Sequence, residues 1–193
     1  GLLVFTKPVG VFTSREPKNR PAFHPSTLVP KIARGMVNLA RARRGEILLD
    51  PFCGVGGILL EAGLMGCRIA GGDVKGYMVD RCCKNLRYYG LEPLGLVEHD
   101  AVSLPFNYAD YFVTDPPYGI SSSTMKRGIK NILERFLPQS CEILRKGGYI
   151  CLASPSTVDV AGMGEDCGYR MVERHHLYVH RSLTREISVL RKE

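Results

Sequence analysis

One stretch restricts the fold more than any other. Glu46-Ile47-Leu48-Leu49 is an apolar run of strand length, and Asp50-Pro51-Phe52-Cys53-Gly54-Val55-Gly56-Gly57 follows it. Ile58-Leu59-Leu60-Glu61-Ala62-Gly63-Leu64-Met65 then continues as a helix. A strand, a glycine-rich turn and a helix in that order belong to open α/β sheets that bind nucleotides. The spacing is D-x-F-x-G-x-G, not the G-x-G-x-x-G of nicotinamide enzymes. An ordinary strand–loop–helix corner is the competing account, and a second motif weighs against it.

That second motif is Asp115-Pro116-Pro117-Tyr118-Gly119, at the end of the apolar run Tyr111-Phe112-Val113-Thr114. A β-branched and aromatic run that stops at two prolines is a buried strand entering a loop. Neither proline has a backbone N–H, so the Asp115 carboxylate and the loop carbonyls make a row of acceptors beside the Tyr118 ring. Such a row suits a planar base with an exocyclic amine, whose NH₂ donates while Tyr118 stacks. An Asp-initiated turn is the plainer alternative.

The 50–57 loop resembles the S-adenosylmethionine loop of class I methyltransferases. By that resemblance Asp50 faces the cationic methionine end of the cofactor. Phe52, Cys53, Gly54, Gly56 and Gly57 line the rest, the glycines letting the backbone approach a ligand that has no pyrophosphate. Farther on, Arg68-Ile69-Ala70-Gly71-Gly72-Asp73 reads as the next strand; Asp73, with its neighbour Val74, is placed to accept both ribose hydroxyls. Residues 94–101 read as a third strand. Asp100 there accepts from the adenine amine while the Ala101 N–H donates to the ring, with a plain strand-end turn as the rival.

Upstream, residues 1–22 are expected to form an extension, with short strands at 2–5 and 9–12 and a proline-punctuated basic linker at 14–21. The chain begins at Gly1. A longer protein whose N-terminal part is missing explains this, and a tag scar explains it equally. A helix is expected from about 28 to 44, capped by Ser26 or Thr27 with Pro30 in its first turn. It would set His24 and Thr27 beside the cofactor loop, His24 as either a cofactor contact or a structural residue. The methyltransferase domain is then 23–193.

Helices are also expected at 75–90, 129–145 and 158–168. A strand falls at 149–153, and a closing antiparallel pair at 169–174 and 187–190. Ser121 to Arg127 reads as a polar loop in which Lys126 and Arg127 could hold phosphates. His175, His176 and His180 lack a companion set of cysteines or carboxylates, so no metal is assigned. The seven cysteines include no C-x-x-C, which argues for buried thiols in a reducing compartment rather than disulfides or zinc. An excess of 26 Lys+Arg over 19 Asp+Glu, a net +7, favours a polyanionic partner. No apolar run approaches the roughly 20 residues of a membrane span, and no signal peptide is evident, so a cytoplasmic site is expected.

More narrowly, four stretches resemble the archaeal tRNA guanosine-10 N2-methyltransferases and their eukaryotic relatives. They are Arg20-Pro21-Ala22-Phe23-His24-Pro25, the 49–57 loop, Thr114-Asp115-Pro116-Pro117-Tyr118-Gly119 and His180-Arg181-Ser182-Leu183-Thr184-Arg185. The resemblance implies a Rossmann-like α/β fold, a mostly parallel seven-stranded sheet with its last strand antiparallel and helices on both faces. It implies S-adenosyl-L-methionine as cofactor and transfer of a methyl to the exocyclic N2 of a tRNA guanosine. Asp115, Pro116, Pro117 and Tyr118 are the implied catalytic set, and Arg181 and Arg185 implied RNA contacts. Full-length members carry an N-terminal THUMP RNA-binding domain, which this chain lacks. Adenine-N6 methylation uses the same motif, but the chain has no room for a DNA target-recognition domain. Protein glutamine methylation usually places Asn first. A noncatalytic RNA-binding module is disfavoured by the intact Asp50, Gly54, Gly56, Asp73 and Asp115.

Overall fold

The computed structural model describes residues 10–25, 27–117, 122–180 and 183–193, with backbone alone at 122–127, 179, 180 and 183. Its strands are β1 (Ile47–Asp50), β2 (Arg68–Asp73), β3 (Gly95–Glu98), β4 (Ala109–Thr114), β5 (Leu144–Pro155), β6 (Tyr169–His180) and β7 (Leu183–Lys192). The helices are α1 (Pro30–Leu39), α2 (Gly57–Leu64), α3 (Gly76–Tyr88), α4 (Ser122–Ile143) and α5 (Val160–Glu165). One seven-stranded sheet runs in the order β3-β2-β1-β4-β5-β7-β6. Strands β1 to β5 pair in parallel, and β7 is antiparallel to both of its neighbours. This is the architecture expected from the sequence.

Period-two alternation sends successive side chains to opposite faces of the sheet. Leu48, Tyr111, Val113, Cys151, Ala153 and Val189 join α1, α2 and α3 in one apolar cluster. Their neighbours Leu49, Phe112, Ile150, Leu152 and Leu190 join α4 and α5 in the other. Phe112 packs edge-on against Phe136 of α4 with centroids 5.9 Å apart, and Phe136 in turn meets Phe52 of the glycine loop at 5.5 Å. The loop is thereby anchored to the second core.

Several local expectations are corrected. Helix α1 begins at Pro30 with Val29 at its N-cap and no side-chain cap. The Thr27 hydroxyl donates instead to the His24 carbonyl at 2.7 Å, and Ser26 lies outside the described residues. The helix ends at Leu39, because Arg41 turns to a φ of 58°. Residues 122–127 continue α4 rather than forming a loop, drawn into helix by the buried Ile129, Leu133, Phe136 and Leu137 downstream. The two last strands are longer than expected and absorb His175 and His176 into β6.

The expected linker is two 3-10 turns, Thr13–Arg15 and Pro17–Asn19, docked on the domain. Arg15 and Arg20 are buried there. Glu61, wholly buried in the apolar helix α2, is the reason: Arg15 Nε reaches its Oε1 at 2.7 Å and Arg34 Nη2 its Oε2 at 3.0 Å. Buried Asn85 of α3 adds a second clasp. Its Nδ2 donates to the Ala22 carbonyl at 2.9 Å and the Val55 carbonyl at 2.8 Å, and its Oδ1 accepts from Ala22 N at 2.9 Å. The expected strands at 2–5 and 9–12 fall largely outside the described residues. Gly10, Val11 and Phe12 form a turn.

Candidate active site

The chain order reverses direction in the sheet between β1 and β4, the place where open α/β sheets bind ligands beyond the strands' carboxyl ends. Four carboxylates stand there: Asp50 and Asp73 end β1 and β2, while Asp100 and Asp115 lie just past β3 and β4. All four line one cavity of about 480 Å³. His24, Thr27, Phe52, Cys53, Gly54, Gly57, Val74, Ala101 and Pro117 line it too. The candidates from five separate stretches of sequence are thus gathered around one space.

The glycine loop takes its shape from two left-handed residues, Gly54 with φ 51° and Gly56 with φ 84°. Gly56 is the N-cap of α2 and does not line the cavity; a Cβ on it would stand 2.7 Å from Cys82 Sγ. Its part is therefore to let α2 and α3 close behind the loop. Cys53 packs in the same place, and its thiol pKa is raised by the hydrogen bond to Cys82 and by burial. A thiol held neutral in this way is a packing group.

Asp73 fixes the loop from the second strand. Its Oδ2 accepts from Gly54 N at 3.1 Å and its Oδ1 from Lys75 N at 3.0 Å. Each oxygen keeps a further acceptor position. Asp50 is 1% exposed, and both of its bonds reach Oδ1, from Thr114 Oγ1 at 2.7 Å and Phe52 N at 3.2 Å. Burial pushes its pKa up to about 7, against those two hydrogen bonds and with help from Asp115 and Asp73. A carboxyl so poised is ready for a cation, which would return it to the ionised form.

Asp100 is exposed at the rim and caps a turn, Oδ1 accepting from Val102 N at 3.1 Å. Cavity lining and strand-end turn are both present at that residue. Asp115 is half-buried, and its Oδ2 lies 3.4 Å from Arg185 Nη2 on β7. Arg185 was expected on an RNA-facing surface; it points inward to the carboxylate. Pro116 is buried behind Asp115 and Pro117 is exposed. Tyr118 and Arg181, and the side chains of Lys126 and Arg127, lie outside the described residues. His175 pairs with Glu173 at 3.1 Å and His176 with Glu186 at 3.2 Å, and no group of three metal-binding side chains occurs among the described residues.

Reasoning from sequence missed part of the wall: Leu28, Val55, Ile58, Lys75, Met78 and Ile132 also line the cavity. Leu28, Val55, Ile58 and Lys75 adjoin motif residues and were within reach. Ile132 is an ordinary apolar position of α4, with no signal of its own.

Residues 17–187 match the family described as RMKL-like, methyltransferase domain (UPF0020). The chain belongs to this family. It is 41% identical over 182 residues to the tRNA (guanine(10)-N2)-dimethyltransferase of Methanothermobacter thermautotrophicus, an alignment that takes in 94% of this chain and 54% of that protein. The enzyme of the same name from Methanocaldococcus jannaschii is 38% identical over 191 residues, 94% of this chain and 51% of its own length. The chain therefore spans about half the length of these curated relatives. Among solved structures, TrmN from Thermus thermophilus superposes with a TM-score of 0.75 at 24% identity, over 88% of this chain and 50% of that one. That likeness shows a shared methyltransferase fold. No helix among the described residues is long and apolar enough to cross a membrane.

Proposed function

We propose that this chain is the catalytic domain of an S-adenosylmethionine-dependent methyltransferase that acts on the exocyclic N2 of a tRNA guanosine, position 10 by the relatives' names. The observation that carries the proposal is the convergence of Asp115, Pro117 and the Asp50 loop on one cavity. The lining fits the cofactor. Asp73 offers acceptors for a ribose, Asp100 an acceptor and the Ala101 N–H a donor for an adenine edge, and Asp50 a carboxyl for a cationic arm. Val74, Met78 and Ile132 supply apolar wall for a planar base. When bound, the cofactor supplies an electrophilic methyl on a sulfonium.

The chain's own residues do the rest. The N2 nitrogen of guanine is a poor nucleophile because its lone pair is delocalised into the ring. The Asp115 carboxylate and the Pro116 carbonyl accept its two N–H bonds, favour a pyramidal nitrogen and fix its direction. Arg185 holds the Asp115 carboxylate from behind. The amine becomes acidic only as its new bond forms, so Asp115 takes the proton late and positioning outweighs base strength. Tyr118 stacks on a base flipped out of the RNA.

Lys126, Arg127 and Arg181 supply salt-sensitive grip on tRNA phosphates. The domain is assigned to residues 23–193, and 1–22 to the connection toward an RNA-binding THUMP-type domain in a longer, cytoplasmic protein. The half-length match to the relatives supports that assignment. The test is nucleoside mass spectrometry of an unmodified tRNA transcript incubated with cofactor and the chain, Asp115→Ala alongside. N2-methylguanosine from the intact chain and none from the variant is expected. Methyladenosine as the product would overturn the guanine assignment.

A further inference from the structure

Helix α3 carries a line of side chains that its packing does not require. Tyr77, Arg81, Lys84 and Tyr88 all stand exposed. Steps of four, three and four residues keep them within an arc of about 60° and run them about 16 Å along the axis. The helix packs through its inner side, where Met78, Cys82, Asn85 and Leu86 are buried. A single exposed aromatic is ordinary on a protein surface, but these two rings are braced. Tyr77 is half exposed, and the Arg81 guanidinium lies over its ring at 5.4 Å. Tyr88 is 65% exposed and meets Tyr89 edge-on with centroids 5.0 Å apart. Tyr89 is itself fixed, donating to the Ser14 carbonyl at 3.0 Å. Both rings are therefore presented in set orientations, which lowers the entropy lost when a flat group stacks on them.

Charge points the same way. Lys75, Arg81, Lys84 and Arg87 are exposed, and none of them forms an ion pair among the described residues. Asp80 is the single acid of the helix. Cations interleaved with aromatic rings suit a strand that offers phosphates and bases in turn. The line also starts at the site. Val74 and Lys75, just before α3, and Met78 in its first turn line the cavity. A strand laid along α3 from Tyr88 to Tyr77 therefore arrives at the cavity mouth.

Resting on the tRNA reading above, we propose that the face of α3 formed by Tyr77, Arg81, Lys84 and Tyr88 is an RNA-binding surface that holds an unpaired stretch of the substrate. Arg81 and Lys84 take phosphates, and Tyr77 and Tyr88 stack on bases that are free of a duplex. A length of about 16 Å matches four or five stacked nucleotides at about 3.4 Å each. The surface sets affinity and register and takes no part in methyl transfer.

The test is filter binding of an unmodified tRNA transcript by the chain over a range of salt concentrations. Arg81→Gln with Lys84→Gln should weaken binding roughly tenfold at low salt and flatten the slope of log K against log salt by about 1.5–2. Tyr77→Ala with Tyr88→Ala should weaken it roughly tenfold or more and leave the slope unchanged. Arg43→Gln with Arg68→Gln removes the same charge from the amino ends of β1 and β2, opposite the cavity, and should cost less than about threefold. Each variant should bind S-adenosylmethionine as wild type does, which separates a lost RNA face from a damaged fold. Unchanged RNA affinity and slope in the α3 variants, the result that a face built for another protein would give, would overturn the surface. Equal losses from the Arg43 and Arg68 pair would overturn it too, as would a wild-type chain with no salt-dependent hold on the transcript. Formation of N2-methylguanosine, measured separately, decides the methylation reading whatever the outcome here.

Discussion

Asp50 gives the most quantitative expectation. Its carboxyl titrates near 7 because burial outweighs the Thr114 and Phe52 hydrogen bonds. The protonated fraction is then about 0.9 at pH 6 and about 0.1 at pH 8. A cation bound beside Asp50 requires the ionised form, so binding at pH 6 should release about 0.9 proton from this group. The association constant should fall about tenfold from pH 8 to pH 6, as the ionised fraction does. Calorimetry in buffers of different ionisation enthalpy measures the released protons directly. The cofactor's own amine also titrates, so Asp50→Asn is run alongside and its proton count subtracted. Equal proton release by wild type and Asp50→Asn at pH 6, with matching pH profiles of affinity, would refute the reasoning.

Three further expectations concern stability. Asp50's folded value lies above its usual 3.8, so the folded chain holds an extra proton between about pH 4 and pH 7 and stability falls as pH rises through that window, by on the order of 4 kcal/mol. Denaturant titrations of the ligand-free chain should show that decline, and Asp50→Asn should flatten it. Glu61→Gln strands Arg15 and Arg34 and should cost about 3–5 kcal/mol, with residues 10–20 becoming protease-sensitive; a variant as resistant as wild type would contradict the clasp. Asn85→Ala removes three buried hydrogen bonds and should cost about 3 kcal/mol, read as a fall in Tm of roughly 6–12 °C.

The site was legible where physics leaves punctuation. Runs ending at Asp50, Asp73 and Asp115 each pass from apolar alternation to a carboxylate and a turn, so strand ends and site residues were found together. Asp100 was found the same way, although β3 stops at Glu98 and the acid sits on a turn. Ile132 was invisible because a cavity wall and a core position ask for the same side chain. Arg15 and Arg20 were hidden by composition: a basic, proline-punctuated stretch reads as linker until a buried partner appears. That partner, Glu61, gives no sign in sequence of which cations will reach it. Thr27 failed as a cap for a local reason. Pro30 opens the helix without an N–H of its own, and the Thr27 hydroxyl had already turned back to His24.

The two rims of the sheet meet the outside world differently. At one rim β3 is only four residues, Gly95–Glu98, too short to template another strand. At the other, β6 runs for 12 residues with one side unpaired among the described residues. A strand of that length invites self-association and fibre growth, and what opposes it here is charge. Arg170, Arg174, His175 and His176 all stand exposed along it, against Glu193, Glu186 and Glu173, so a second copy must disturb these ion pairs before the backbones can zip together. Solubility thus rests on side chains that neither the core nor the cavity requires, and it should weaken as salt screens those charges.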